Sequence, residues 1–189
     1  PSQNGRPYAG DRRAFFGNPD LSHSQFEKNG GTATLEHEFS DRFTLRNHLS
    51  YASTDKFYSN VFASGPVNNV TGSVALTAYR SAQQRRNLFN QTDFVLRANT
   101  GGLAHTLLLG AELGVQKTDN YRVPNNAAGT VNIVSPTIFA PTPFVGVQND
   151  NLVNLKVAGV YLQDQIEVNR YLQFVGGVRF DRFDLDFDD

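Results

Sequence analysis

Six stretches of this chain alternate apolar and polar residues with a period of two, and none shows the 3.6-residue period of an amphipathic helix. In the first, Ala33, Leu35 and Phe39 point one way and Thr34, Glu36 and Glu38 the other. After the polar turn Ser40-Asp41-Arg42, Phe43, Leu45, Leu49 and Tyr51 alternate with Thr44, Arg46, His48 and Ser50. Leu88, Phe94, Leu96 and Ala98 oppose Asn87, Gln91, Asp93 and Arg97; past Asn99-Thr100-Gly101-Gly102, His105, Leu107, Leu109, Leu113 and Val115 oppose Thr106, Glu112 and Gln116. The last pair sets Val160, Leu162 and Ile166 against Tyr161, Gln163 and Glu167, then Leu172, Phe174, Val178 and Phe180 against Gln173, Arg179 and Asp181. Asp164 interrupts the apolar face of the fifth stretch, where a bulge or strand end is expected. The pattern predicts three antiparallel hairpins in series, with strands near 31–39, 43–55, 84–98, 104–119, 156–168 and 172–184.

The connections narrow the fold. Three are tight turns, whereas the segments near 56–80 and 121–155, and an opening segment from Pro1 to about Lys28, are long and rich in Asn, Pro, Gly, Ser and Thr. Short turns at one end and long loops at the other characterise transmembrane β-barrels. A compact soluble domain rarely carries structureless loops beyond about 15 residues. Predicted strands of about 9–16 residues also suit a tilted membrane crossing better than a soluble strand of about 5–6. Aromatic residues cluster at strand ends: Phe39 and Phe43 at one turn, Tyr171 at another, and Tyr51, Phe57, Tyr58 and Tyr121 towards the long loops, as in the two aromatic girdles of such barrels. A soluble β-sandwich or lipocalin-like barrel shares the alternation but not the loop asymmetry.

Composition removes other classes. The net charge is −1 and no large basic cluster exists, so nothing favours nucleic acid. With no Cys there is no disulfide, thiolate metal site or cysteine nucleophile. No apolar run reaches the roughly 18 residues of a transmembrane helix. The four His residues are scattered, with His37 and His48 on opposite faces, so no metal site is expected. Hydrolase elbows, phosphate loops and paired-His zinc motifs are missing, and no enzymatic activity is expected.

The run FNQTDFVLRANTGGLAHTLLLGAE from Phe89 to Glu112 resembles a barrel hairpin of TonB-dependent ferric-siderophore receptors, as does VYLQDQIEVNRYLQFVGGVRFDRFD from Val160 to Asp184. The segment containing GRPYAGDRRAFFGNPD, within Pro1–Asp20, is similar to an extracellular loop of the catecholate-type subgroup. The resemblance implies an all-β, antiparallel up-and-down transmembrane β-barrel of about 22 strands with an N-terminal plug inside, located in the outer membrane of a Gram-negative bacterium. It implies uptake of a ferric siderophore energised by the TonB complex. The iron would travel in the siderophore, so no resident cofactor is expected. The chain accounts for about six strands and carries no visible leader, plug or TonB-contact segment, so residues 1–189 are expected to be a piece of the barrel domain. A passive porin, or a receptor of the same class for cobalamin or a glycan, is the alternative.

A ferric catecholate is an anion with aromatic rings, which Arg offsets and Tyr or Phe stacks upon. The candidates are Arg6, Tyr8, Arg12, Arg13, Phe15 and Phe16 in the first segment, and Tyr121 and Arg122 where the longest loop is expected to open. Arg80, Arg85 and Arg86 lie at the expected start of the third strand. The competing reading is that basic loop residues meet lipopolysaccharide phosphates or solvent. The acidic run Asp184, Asp186, Asp188 and Asp189 reads as the start of a further loop.

Overall fold

A computed structural model describes all 189 residues. A small hairpin of β1 (Ser2–Gln3) and β2 (Arg6–Pro7) precedes six long strands: β3 (His23–Ser40), β4 (Phe43–Ala63), β5 (Ser73–Thr100), β6 (Leu103–Asn132), β7 (Asn149–Asn169) and β8 (Leu172–Asp188). The six pair antiparallel in sequential order and there is no helix, as the alternation predicts. β3 and β8 are the two edges, so the sheet is open.

The strands are longer than expected. β5 has 28 residues and β6 has 30, against the roughly 9–11 that a tilted membrane crossing needs. The loops expected at 56–80 and 121–155 shrink to residues 64–72 and 133–148, and residues 23–28 of the expected first loop belong to β3. Asp184, Asp186 and Asp188 lie in β8 rather than in a loop. The turn residues that suggested loops have other uses. Pro124 sits beside a bulge, where the register shifts so that Ala78 pairs with Asn125 but Leu76 with Gly129. Proline is tolerated in a strand at such a place. Asn125 turns its side chain back to accept from the Ala127 amide at 2.9 Å. In the other connection, Asn68 accepts from the amides of Val70 and Thr71, and Gly72 closes the turn at φ 66°.

Register aligns the faces across the sheet. Leu45, Phe94, Leu109, Leu162 and Val178 form one row, and the expected apolar residues share its face throughout. They are exposed or half-buried, with Val178 at 73% and Val160 at 54%. On β6 the apolar-face residues Leu113, Val115 and Lys117 are exposed, whereas Glu112, Gln116 and Thr118 opposite are half-buried or buried. The sheet therefore curls towards its polar face, which is its inner wall. The lower edge of the outer apolar band carries the stacked rings of Phe39, Phe43 and Phe94, with centroids 5.2 and 6.0 Å apart. Its upper edge is the row of Ser53, Arg86, Lys117 and Asn154. Ten residues separate Phe43 from Ser53, about 34 Å along a strand and roughly 25 Å vertically at the usual tilt, the height of the lipid-facing band in such barrels.

Asp164 makes no bulge; the register of β7 and β8 shifts only between Glu167 and Asn169. Asp164 instead meets His105 Nδ1 at 2.8 Å on the outer face.

The chain's one packed hydrophobic core lies above the band. Phe16, Val61, Val67, Val74, Leu76, Ala78, Ala128 and Val131 are buried together, with Tyr8, Leu21 and Ile138 against them. Gly17 bonds both ways with the 133–148 connection, through the Pro136 carbonyl at 3.1 Å and the Ile138 amide at 2.9 Å. Val61, Ala78 and Leu76 occupy outer-face positions in the register, so the first segment folds against the outer side of the β4–β6 extension.

Candidate binding site on the inner wall

The inner wall has two zones. Across the membrane band it carries charges of both signs that satisfy one another. Arg46 Nε donates to Glu36 at 2.6 Å. Arg179 bridges Asp181 at 2.7 Å and Glu112 at 3.3 Å. The Tyr161 hydroxyl donates to Asp93, and Gln91 donates to both Tyr161 and Asp93 at 2.9 Å. Buried or crowded charges persist when paired in this way.

Above the band the pattern changes. Register places Lys28, Lys56, Arg85 and Arg122 on the inner wall of this upper zone, and no Asp or Glu of the six strands shares it. Carboxylates at the same height, Asp55, Asp119, Asp150, Asp184 and Asp186, lie on the outer face. Aromatic rings stand among the inner cations. Tyr79 meets Tyr58 and Phe62 edge-on, at 5.4 and 5.7 Å. The Arg122 guanidinium stacks on Tyr79 at 4.1 Å, and the Lys56 ammonium lies 5.1 Å from the Tyr58 centroid. Arg122 Nε is buried without a hydrogen-bond partner. Below them Gln83 donates to Asn120 at 2.7 Å and Asn120 to Asn151 at 2.9 Å, an amide ladder across three strands. Arg85 is braced by Thr118 at 3.2 Å. On β7 and β8 the same wall is apolar, with Val157 opposite Phe183, Leu155 opposite Leu185 and Val153 opposite Phe187. Cations, aromatic faces and amides on one wall can receive an anion that carries rings.

The residues singled out in the sequence are divided by the structure. Tyr121 and Arg122 do not open a loop; both lie within β6 and face opposite ways, Tyr121 outward beside Phe57 and Arg122 inward. Of the expected upper aromatic girdle, Tyr58 likewise faces inward. Phe16 is in the core, and Tyr8 packs edge-on against it at 5.8 Å, because burying two rings outweighs displaying them. Phe15 is 43% exposed. Arg6, Arg12 and Arg13 are exposed on the first segment. Arg13 pairs with Asp11 at 3.1 Å and holds that carboxyl below the usual carboxylate range. Arg80 faces outward under Phe144 at 4.1 Å, and Arg86 also faces outward. Lys56 and Tyr79 are not singled out by the sequence, and Tyr58 is placed there only as a girdle ring, because the alternation is legible only to about residue 55 and again from about 84. Continuing the even positions of β4 through Lys56, Tyr58 and Phe62, and the odd positions of β5 back from Arg85 to Tyr79, finds all three.

The profile described as "TonB dependent receptor-like, beta-barrel" matches residues 1–189. Among curated relatives, the metal-pseudopaline receptor of Pseudomonas aeruginosa PAO1 is 28% identical over 93% of this chain and 25% of its own length. The catecholate siderophore receptor Fiu of Escherichia coli K12 is 23% identical over 94% and 24%. The ferrioxamine B receptor of Salmonella typhimurium LT2 is 27% identical over 93% and 25%. The chain thus spans about a quarter of the length of these relatives. Among solved structures, the ferric-catecholate import receptor Fiu of E. coli K12 in its closed form superposes with TM-score 0.79 at 22% identity, covering 93% of this chain and 26% of that one. The siderophore receptor PiuA of Acinetobacter baumannii gives 0.78 at 23%, covering 97% and 29%.

Proposed function

This chain belongs to the TonB-dependent receptor-like β-barrel family, and we propose that it is part of the barrel of an outer-membrane receptor that imports a ferric siderophore, with the inner wall above the band as a ligand-facing surface. The family consists of receptors and transporters of the Gram-negative outer membrane. The observation that carries the reading is charge segregation above the band: Lys28, Lys56, Arg85 and Arg122 line the inner wall without a carboxylate among them, while Asp55, Asp119 and Asp150 face out. An anionic chelate drawn into the mouth meets net positive charge and the rings of Tyr58 and Tyr79. The relatives are named for different ligands, namely metal-pseudopaline, catecholate siderophores and ferrioxamine B. The ring-stacking wall favours the catecholate class for this chain. Arg6, Arg12 and Arg13, exposed at the rim, steer the anion by long-range attraction rather than by contact.

In this reading the paired charges of the lower zone face the interior of a closed barrel, β3 and β8 continue into neighbouring strands, and TonB engages a region outside these residues. Iron enters as cargo within the chelate. The test is ferric-catecholate binding to the full-length parent protein. Arg122→Gln with Tyr79→Leu should weaken binding by about 10–100-fold, the loss of one charge-assisted bond and one stacking surface. Arg12→Ala with Arg13→Ala should weaken it less and flatten its dependence on salt. If deleting the parent gene left uptake of every ferric chelate intact but abolished uptake of cobalamin or a glycan, the substrate assignment would fall while the transporter class stood.

A further inference from the structure

On the outer face, at the upper edge of the apolar band, Arg86 on β5 and Lys117 on β6 are direct cross-strand partners. Like charges placed opposite each other repel and destabilise a sheet. Lys156 on β7 lies diagonally next to Lys117, one register step nearer the membrane. Their neighbours on this face include Ser53 and Asn154, which are neutral. Carboxylates are near: Asp184 is directly opposite Lys156, Asp186 opposite Asn154, and Asp119 two residues beyond Lys117. None comes within ion-pair distance of the three cations, since all the ion pairs of the chain lie elsewhere. Arg86, Lys117 and Lys156 are all exposed. Immediately below them, an apolar groove is lined by Leu49, Leu88, Leu113 and Val115 and ends against Lys156, Arg182 and Asp184.

We propose that this edge is a binding site for a phosphorylated lipid of the outer leaflet, its phosphate held by Arg86, Lys117 and Lys156 and its acyl chains laid along Leu88, Leu113 and Val115. Depth selects a lipid over a soluble anion. The cations stand one bilayer-core height above the aromatic girdle of the short-turn side, at the level of headgroups, and the carboxylates of Asp55 and Asp119 stand one row further into water. Asp186 shares the row of Arg86 and Lys117 but stands two strands beyond Lys117, and Asp184 faces Lys156, so a phosphate anchored at the interface on the β5–β6 side meets the unpaired Arg86 and Lys117 and relieves their repulsion. The site rests on the outward orientation of the apolar face and not on the identity of the imported ligand.

The experiment uses the full-length parent protein in detergent micelles, titrated with diphosphoryl lipid A and with the same lipid after dephosphorylation, and read by native mass spectrometry. The wild type should retain the diphosphoryl form at least about ten-fold more tightly, about 1.4 kcal/mol. The triple variant Arg86→Gln, Lys117→Gln, Lys156→Gln should lose that discrimination while keeping the heat-modifiable gel mobility of a folded barrel. If the triple variant does not fold, Lys117→Gln alone should reduce the ratio. Arg97→Gln, an inward arginine near a short turn, should leave it unchanged. Equal retention of both lipids by the wild type, an unaltered ratio in the variants, the same loss in Arg97→Gln, or displacement of the lipid by millimolar inorganic phosphate would each overturn the proposal. Ferric-chelate binding measured on the same variants reports separately on the import reading.

Discussion

Tyr161 lies over Gly110, its direct partner across β6 and β7, and Phe89 lies over Gly114 in the same way on β5 and β6. A Cβ at either glycine would fall inside the facing ring. The rings compensate for side chains that the glycines lack, and the Tyr161 ring is thereby aimed at Asp93 and Gln91. Gly110→Val should displace it and cost about 1–3 kcal/mol, measured by urea unfolding of the barrel in micelles. Wild-type stability in that variant would mean that the ring has room to move. His105 and Asp164 form the other pair worth a double-mutant cycle. Each occupies a position in the apolar band, where a lone carboxylate lacks water. His105→Leu alone should destabilise by about 1–2 kcal/mol and His105→Leu with Asp164→Leu should restore most of that, giving a coupling of at least about 0.5 kcal/mol. Additive effects would mean that the two do not support each other.

At the scale of elements, the chain crosses the band in about ten residues and then continues as sheet. What holds the projecting parts of β4, β5 and β6 is the core around Val61, Leu76 and Val131, closed by Phe16 from the first segment. This core ties residues 8–21 and 133–148 to the sheet, so the outer connections form one packed cap. Leu76→Ala should cost about 2–4 kcal/mol locally. Amide exchange should quicken in residues 14–21 and 133–138 while the β4–β5 ladder across the band stays protected. Uniform acceleration across the band would show instead that cap and membrane zone unfold together. Much of each element was legible from the alternation of 43–55 and 104–119. The ends were not, because Pro124, Asn125, Asn126 and Gly129 have the composition of a loop. Their use at a bulge depends on β5 lying alongside.

The whole molecule is an open curved sheet with an apolar outer band, a polar inner wall and two free edges. Both edges offer backbone donors and acceptors for another strand, and the band has no cover within the chain. Residues 1–189 expressed alone should therefore partition into detergent and aggregate in buffer, as read by phase separation and sedimentation. A monodisperse monomer in buffer would contradict the assignment of the band to lipid.

The sequence by itself determined which residues share a face, and with that the antiparallel order and the lipid-facing band. Side-chain direction in a strand is a local property with a period of two, so it needs no knowledge of neighbours. Only the tertiary structure decided what stands together above the band. Whether Arg122 meets Tyr79, whether Tyr121 turns away from it, and whether Phe16 is displayed or buried depend on register between strands tens of residues apart and on a segment folding back onto them. Those contacts are set by turn lengths, a bulge and the burial of a few apolar side chains, which no stretch of the chain specifies alone.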